Sequence, residues 1–333
     1  MTYITDNILE AYQDNNNKWY ITKYLKNTSN LGLFAPYAKD AIISDPGNEG
    51  YIGTVDEQNT YEINRFGFRG EFDEDSDILA SGCSITFGIG IPESARWTNI
   101  LENSIGQSIT NLGNPGASVE SVCQNLVQYS LNNKMPKEIF CFFPDFFRRM
   151  VVVDKDFYKT KMGSESTVDH TFLLQTFCNP TLVFHNGSVF MKIKDKKYIE
   201  DATSPHQLIL NSINAIYMLE AFCLTNNIKL HWSTWDLKTD AVMKEMIKID
   251  NFKLKNFVPL YGDKPQNSLN LEIKENCDSD HNSEFKDSMC WNSGSDYSVI
   301  DHKKVYDRAH PGIHFQHHVA EFFYKLHSQH ALD

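Results

Sequence analysis

The sequence predicts an α/β fold, an open parallel sheet with helices on both faces. Three observations lead there. Short strand-like segments at 77–81, 107–113 and 138–144 alternate with helical patterns at 97–105 and 118–133. The run EIFCFFP (138–144) is continuously apolar rather than alternating, as suits a parallel strand buried on both faces. The alternation then resumes, with a helical pattern at 205–227, an apolar run at 228–235 and another helical pattern at 240–249. A β-α-β-α-β order of this kind defines an open sheet with crossover helices.

Bulk properties narrow the class. The chain has 333 residues, enough for one large α/β domain with insertions. Acidic residues outnumber basic ones 43 to 31, and the net charge of -12 opposes a phosphate-backbone partner. No Lys/Arg block offsets it, so no nucleic acid is expected. The seven cysteines are odd in number, scattered, and several lie inside apolar runs, which favours free thiols in a reducing compartment. The first twenty residues lack a basic stretch ahead of an apolar core, the pattern of a secretory leader. No apolar run is expected to reach membrane-spanning length. The expectation is therefore a cytoplasmic protein, or one released without that leader, by lysis or in a particle, and no membrane partner.

The elements follow in order. Residues 1–60 are polar and Asn-rich with turn clusters such as SDPGNEG, and are expected to form an arm or cap. Residues 61–333 form the main domain. YEINRFGFRGEFDEDSD (61–77) leads into the first strand. WTNILENSI (97–105) forms a helix and QSITNLG (107–113) a short strand. SVESVCQNLVQYSLNN (118–133) places Val119, Val122, Leu126 and Tyr129 on one helical face, with Ser118 as N-cap. Two insertions break the rhythm. Near 150–204, β-type runs flank HNGS and predict a hairpin. Near 262–300 lies a long polar loop. Pro205 suits the first turn of the following helix. Asp236 is an N-cap candidate, NFVPLY (256–261) a candidate fifth strand, and GIHFQHHVAEFFYKLH (312–327) a terminal helix.

In such a sheet, ligands bind beyond the carboxyl ends of the strands. After the first strand stands Gly82-Cys83-Ser84. After the second comes NLGNPGAS, with Asn114 and Gly116, and after the third FFPDFFRR, with Asp145 and Arg148. Ahead of the last helix stands DRAHPG, with Asp307 and His310. Each piece has a bland reading. Small residues make tight turns, Asp caps helices, and Pro-Gly is turn chemistry. Their order suggests more. Serine needs a base to take its proton, and that base needs a third group to orient it.

The blocks resemble the SGNH/GDSL hydrolase family. ASGCSITFGIG is similar to its first block, NLGNPGAS to its second and DRAHPG to its fifth. NRFGFRG and GIGIPESARWTNILE are similar to flanking segments of a microbial branch. The resemblance covers 64–150 and 300–327 and implies a three-layer, flavodoxin-like parallel sheet. It implies a serine esterase with Ser84 as nucleophile, His310 as base and Asp307 orienting His310. The Ser84 and Gly116 backbone N–H groups would be oxyanion donors. The implied substrate is an acylated, in particular acetylated, carbohydrate or a small ester, and no cofactor is expected. Two departures stand out. Cys83 replaces the family's Asp before the serine, and Pro144 takes the place of an Asn whose side chain donates to the oxyanion. Asn114 is a substitute donor or simply a turn-forming Asn before Pro115. With Pro144, the alternative reading is a binding or structural module on a hydrolase fold, a phage or virus particle component or a homo-oligomer.

Other candidates carry less. Arg148 and Arg149 either hold an anionic substrate or are surface charge. Trp232 and Trp235 follow the fourth strand, Trp232 as core and Trp235 as a surface on which a sugar stacks. His310, His314, His317 and His318 have spacing that can bind zinc. The HPG context accounts for His310, and no metal is expected.

Overall fold

The structure is a computed structural model. It describes residues 42–44, 60–89, 91, 93–146, 148–153, 172–177, 182–186, 189–192, 205–249, 254, 256–260, 299–300, 303–304 and 313–329. The central sheet contains β3 (Ile78–Gly82), β4 (Ile109–Asn111), β5 (Glu138–Phe143) and β10 (Lys229–Thr234). Its order is β4-β3-β5-β10 and every pair is parallel. The candidate fifth strand is shorter than expected. Phe257 makes one parallel bridge to Trp232, held by Trp232 N–H to Asn256 O at 3.3 Å and Val258 N–H to Trp232 O at 3.0 Å. Its place beside β10 still completes the 2-1-3-4-5 order of a doubly wound sheet, whose switch point lies between β3 and β5.

Both faces of the sheet are covered. Helix α1 is a single turn (Ser84–Phe87), followed by α2 (Trp97–Ile105), α3 (Val119–Asn132), α4 (Pro205–Thr225), α5 (Leu237–Met246) and α6 (Ile313–Gln329). Helices α2 and α6 pack on each other, as do α3 and α4. On the α2/α6 side, Trp97 stacks on Phe323 at 5.0 Å between centroids, and Phe140 and Phe142 pack edge-on against the same ring. Trp232, expected in the core, is fully buried. Its indole N–H donates to Glu220 on α4 at 2.9 Å, and Phe143 meets it edge-on. Alternate residues of β5 thus serve opposite helical layers, which is why its apolar run does not alternate.

The caps behave as their residue types suggest. The Ser118 hydroxyl accepts from Ser121 N–H at 3.3 Å and the Ser121 hydroxyl accepts from Ser118 N–H, closing a capping box on α3. Asp236 caps α5 by accepting from Thr239 N–H at 2.8 Å. Cys83, Cys123, Cys141 and Cys223 are free and buried. Burial pushes the Cys123 and Cys141 thiols well up and Cys223 to about 12, so these three are packing groups rather than nucleophiles.

Helix α4 corrects one expectation. Its His206–Thr225 stretch is long and apolar enough to cross a membrane by length and composition, with mean hydropathy 1.5. In this fold it buries Leu208, Ile213, Ile216, Leu219 and Cys223, although Met218 and Leu224 remain exposed.

Outside the central sheet, β1 (Ile42–Ser44) pairs antiparallel with β2 (Thr60–Glu62). The first insertion holds more than a hairpin. β6 (Arg148–Val153), β7 (Phe172–Phe177), β8 (Leu182–Asn186) and β9 (Val189–Lys192) form a four-stranded antiparallel sheet. The expected hairpin is its β8–β9 pair, closed at Asn186 opposite Val189. In the polar-loop region, β11 (Val299–Ile300) pairs with β12 (Lys303–Lys304). The rest of the expected arm and loop lies outside the described residues.

Candidate active site

The site begins where β3 ends. Gly82 is required there by close approach: a Cβ would collide with Thr86 Oγ1 and come 2.5 Å from Phe142 O. The chain turns at once into α1, with Phe87 N–H donating to Cys83 O and Gly88 N–H to Ser84 O, both at 2.9 Å. This tight strand-to-helix turn leaves Ser84 at its tip, 7% exposed, at the carboxyl edge of the switch-point strand. The Ser84 Oγ lies 3.8 Å from Cys83 Sγ, a contact too weak to immobilise the hydroxyl.

The turn after β4 presses against it. A Cβ on Gly113 would lie 2.5 Å from Phe87 N. Asn114 N–H donates to Gly82 O at 3.0 Å, so the two turns are joined by the backbone. Asn114 O accepts from Ala117 N–H at 2.9 Å, with Pro115 and Gly116 between them and Gly116 at φ +76°. Proline at the second position and a left-handed glycine at the third mark a type II turn. The backbone of Asn114 is therefore used in turn formation, and its side chain is buried.

Arg148 ties the remaining loops together. Its guanidinium donates to Asp145 at 2.7 Å and to Ala117 O at 3.3 Å, and lies over the Trp235 ring at 5.4 Å. It thus links the turn after β4, the loop after β5 and the loop after β10. Arg148 is buried at 7% exposure, not surface charge, and Asp145 balances its charge. The Trp235 indole N–H in turn points at Cys83 Sγ, 3.1 Å away, which brings the fourth strand's loop beside the serine. Phe146 supports the same loop, its N–H donating to Thr239 and its carbonyl accepting from Ser212.

Two further groups position the turn, and the sequence reading gave neither a role. The Gln316 amide on α6 accepts from Trp97 N–H at 2.9 Å and donates to Ile85 O at 3.3 Å, docking the first turns of α6 against α1. Arg69, buried in the NRFGFRG lead-in, donates to the carbonyls of Phe87, Gly88 and Ile91 and stacks on Tyr61 at 4.1 Å. Arg96 holds Arg69 O at 3.1 Å and pairs with Glu93 at 2.7 Å. Burial, and then the neighbouring Arg69, push Arg96 down to about 9, so it stays charged at neutral pH. The signal was a pair of arginines flanking an apolar turn, but nothing in their spacing says which carbonyls they meet.

The structure brings Ser84, Asn114, Gly116, Asp145, Arg148 and Trp235 to one end of the sheet. Asp307 and His310 lie outside the described residues. Among the described residues, no group of three His, Cys, Asp or Glu side chains is arranged to hold a metal ion.

Neither a protein-family model nor a curated protein matches the chain. Solved structures do. A lipolytic protein assigned to the G-D-S-L family from Desulfitobacterium hafniense is similar at 12% identity and TM-score 0.35, over 74% of this chain and 97% of that one. A G-D-S-L lipolytic family member from Veillonella parvula is similar at 14% identity and TM-score 0.33, over 75% and 96%. An acetyl xylan esterase from Butyrivibrio proteoclasticus is similar at 11% identity and TM-score 0.35, over 81% and 66%. At these TM-scores, strand order and register in the chain itself define its α/β fold.

Proposed function

We propose that the chain is a serine esterase that deacylates a neutral ester, with an acetylated carbohydrate as the substrate class. The observation that supports the reading is the docking of α6, the helix that follows the Asp307 and His310 block in sequence, against the turn that carries Ser84. Gln316 docks α6 on the α1 backbone one residue from Ser84. Asp307 and His310 precede α6 by only a few residues, a span that an extended chain of about 3.3–3.6 Å per residue covers easily. In this reading Ser84 Oγ attacks the ester carbonyl while His310 takes its proton and Asp307 orients the imidazole. The Ser84 and Gly116 N–H groups receive the developing oxyanion. The carbon–oxygen bond to the alcohol breaks as His310 returns the proton. Water, deprotonated by His310, then releases the acid and restores Ser84. Asp145 neutralises Arg148 at this end of the sheet, which favours a neutral ester over an anionic one.

Hydrolysis of p-nitrophenyl acetate by wild type and Ser84→Ala tests this. The expected outcome is a loss of roughly 10³-fold or more in the variant. Equal background rates in both would overturn the esterase and favour the second reading, a binding or particle-structural module. Pro144 motivates that second reading, because it closes β5 where the resemblance calls for an Asn donor. A glycan array with Ser84→Ala would then show whether carbohydrate binding persists without chemistry.

A further inference from the structure

Pro144 leaves a vacancy in the chemistry, and the structure offers a group to fill it. Proline has neither a side-chain donor nor an N–H, so the loop after β5 cannot supply a third oxyanion contact from that position. The adjacent loop, after β10, can. Trp235 is the residue that follows β10, and its indole N–H is aimed at Cys83 Sγ from 3.1 Å. That sulfur is itself 3.8 Å from Ser84 Oγ. One sulfur atom, Cys83 Sγ, thus separates an N–H donor from the serine hydroxyl. The sulfur is a weak acceptor, so a charged oxygen brought within reach competes with it for the indole N–H. The ring is held in place. Arg148 lies over its face at 5.4 Å and is itself fixed by Asp145 and by Ala117 O. Cys83, the other departure from the family pattern, is small enough to let the indole approach where a carboxylate would stand.

We propose that the Trp235 indole N–H is the third oxyanion donor of this site, replacing the missing Asn. The inference rests on the esterase reading of Ser84. It also predicts a KM-against-kcat split, because the contact forms only when the carbonyl oxygen becomes charged.

The test uses p-nitrophenyl acetate and the full chain. Trp235→Phe should lower kcat by about 10²–10³-fold with KM nearly unchanged. A boronic acid that forms a tetrahedral adduct on Ser84 should lose affinity in parallel. Adding Pro144→Asn to Trp235→Phe should restore part of kcat, since an amide donor returns to the end of β5. If Trp235→Phe fails to fold, 3-benzothienylalanine at position 235 keeps the bicyclic shape and removes only the N–H, and the same loss is expected. Unchanged kcat in either 235 variant, with hydrolysis still dependent on Ser84, overturns the donor role and leaves the esterase standing. A matching loss in Asn114→Ala, with Trp235→Phe silent, assigns the donor to Asn114 instead. Absence of Ser84-dependent hydrolysis in the wild type removes both the esterase and the donor.

Discussion

The two ends of the central sheet are made of different materials. At the amino end, carboxylates meet charged or ring N–H partners. Asp77 lies 2.8 Å from Lys134 and 2.7 Å from Lys137. Glu138, buried at the start of β5, accepts from His231 on β10 at 2.9 Å and from His327 on α6 at 2.8 Å. At the carboxyl end the strands stop in Gly82, Phe143 and Thr234. There the Ser84 hydroxyl meets the Cys83 sulfur at 3.8 Å and the Trp235 indole N–H meets the same sulfur at 3.1 Å. The contrast teaches where each kind of energy is spent. Partners at the amino end are already found, so they tie α6 and β10 to the sheet. At the carboxyl end Asp145 and Arg148 are likewise matched, whereas the Ser84 hydroxyl and the Trp235 indole meet a thiol sulfur, a weak acceptor that a substrate oxygen can displace.

The largest expected effects separate the two ends. Ser84→Ala should abolish turnover while leaving thermal stability near the wild-type value, because the hydroxyl lost makes only a long contact to the Cys83 sulfur. Glu138→Ala should do the reverse. Removing the buried acceptor leaves the His231 and His327 ring N–H groups unpaired, which costs about 1–3 kcal/mol, read as a lower urea midpoint with unchanged kcat on p-nitrophenyl acetate. A Glu138 variant that loses activity at full stability would break the division of labour.

Arg69 lies between the extremes, since it stabilises the fold and also shapes the turn. Lysine retains the charge but not the planar fork that reaches the carbonyls of Phe87, Gly88 and Ile91. Arg69→Lys should therefore lower kcat by roughly ten- to a hundred-fold through misplacement of Ser84, with a smaller loss of stability, about 1–2 kcal/mol. A fall in stability with kcat intact would restrict Arg69 to the scaffold.

How much of this was legible in the sequence follows the range of the interactions. Local patterns carried through. The Ser118 and Asp236 caps, the 97–105 and 118–133 helices and the buried β5 run were readable because helix signals span three or four residues and strand signals two. The glycine turns were readable as turns, but not as close approaches, since the contacts of Gly82 and Gly113 depend on neighbouring strands. β6 and β7 were hidden, since an apolar run near a sheet edge does not announce its partner. Arg148 was ambiguous for the same reason. Its burial comes from Ala117 and Trp235, which no spacing rule connects to it. The Cys83–Trp235 contact joins residues 152 apart and the Glu138–His327 contact residues 189 apart. Such pairs are created by topology.

The smallest expected effect sharpens the comparison through pH. Burial alone would raise the Glu138 carboxyl, but the hydrogen bonds and charge of His231 and His327 outweigh it and hold the group below its ordinary value of 4.5. A folded-state pKa below the unfolded one means that the folded form keeps its carboxylate more readily than the unfolded chain does. The stability this contributes is fully present above the unfolded pKa and is lost as pH falls through the lower, folded value. Glu138→Gln removes that dependence while keeping the volume. The contribution of this carboxylate to the margin of wild type over Glu138→Gln should therefore be full above the unfolded value and shrink as the pH drops below about 4.5. Thermal melts of both proteins across that range provide the measurement. A margin that widened in acid would mean that the carboxyl is held protonated in the fold, and the amino end would then be as uncommitted as the carboxyl end.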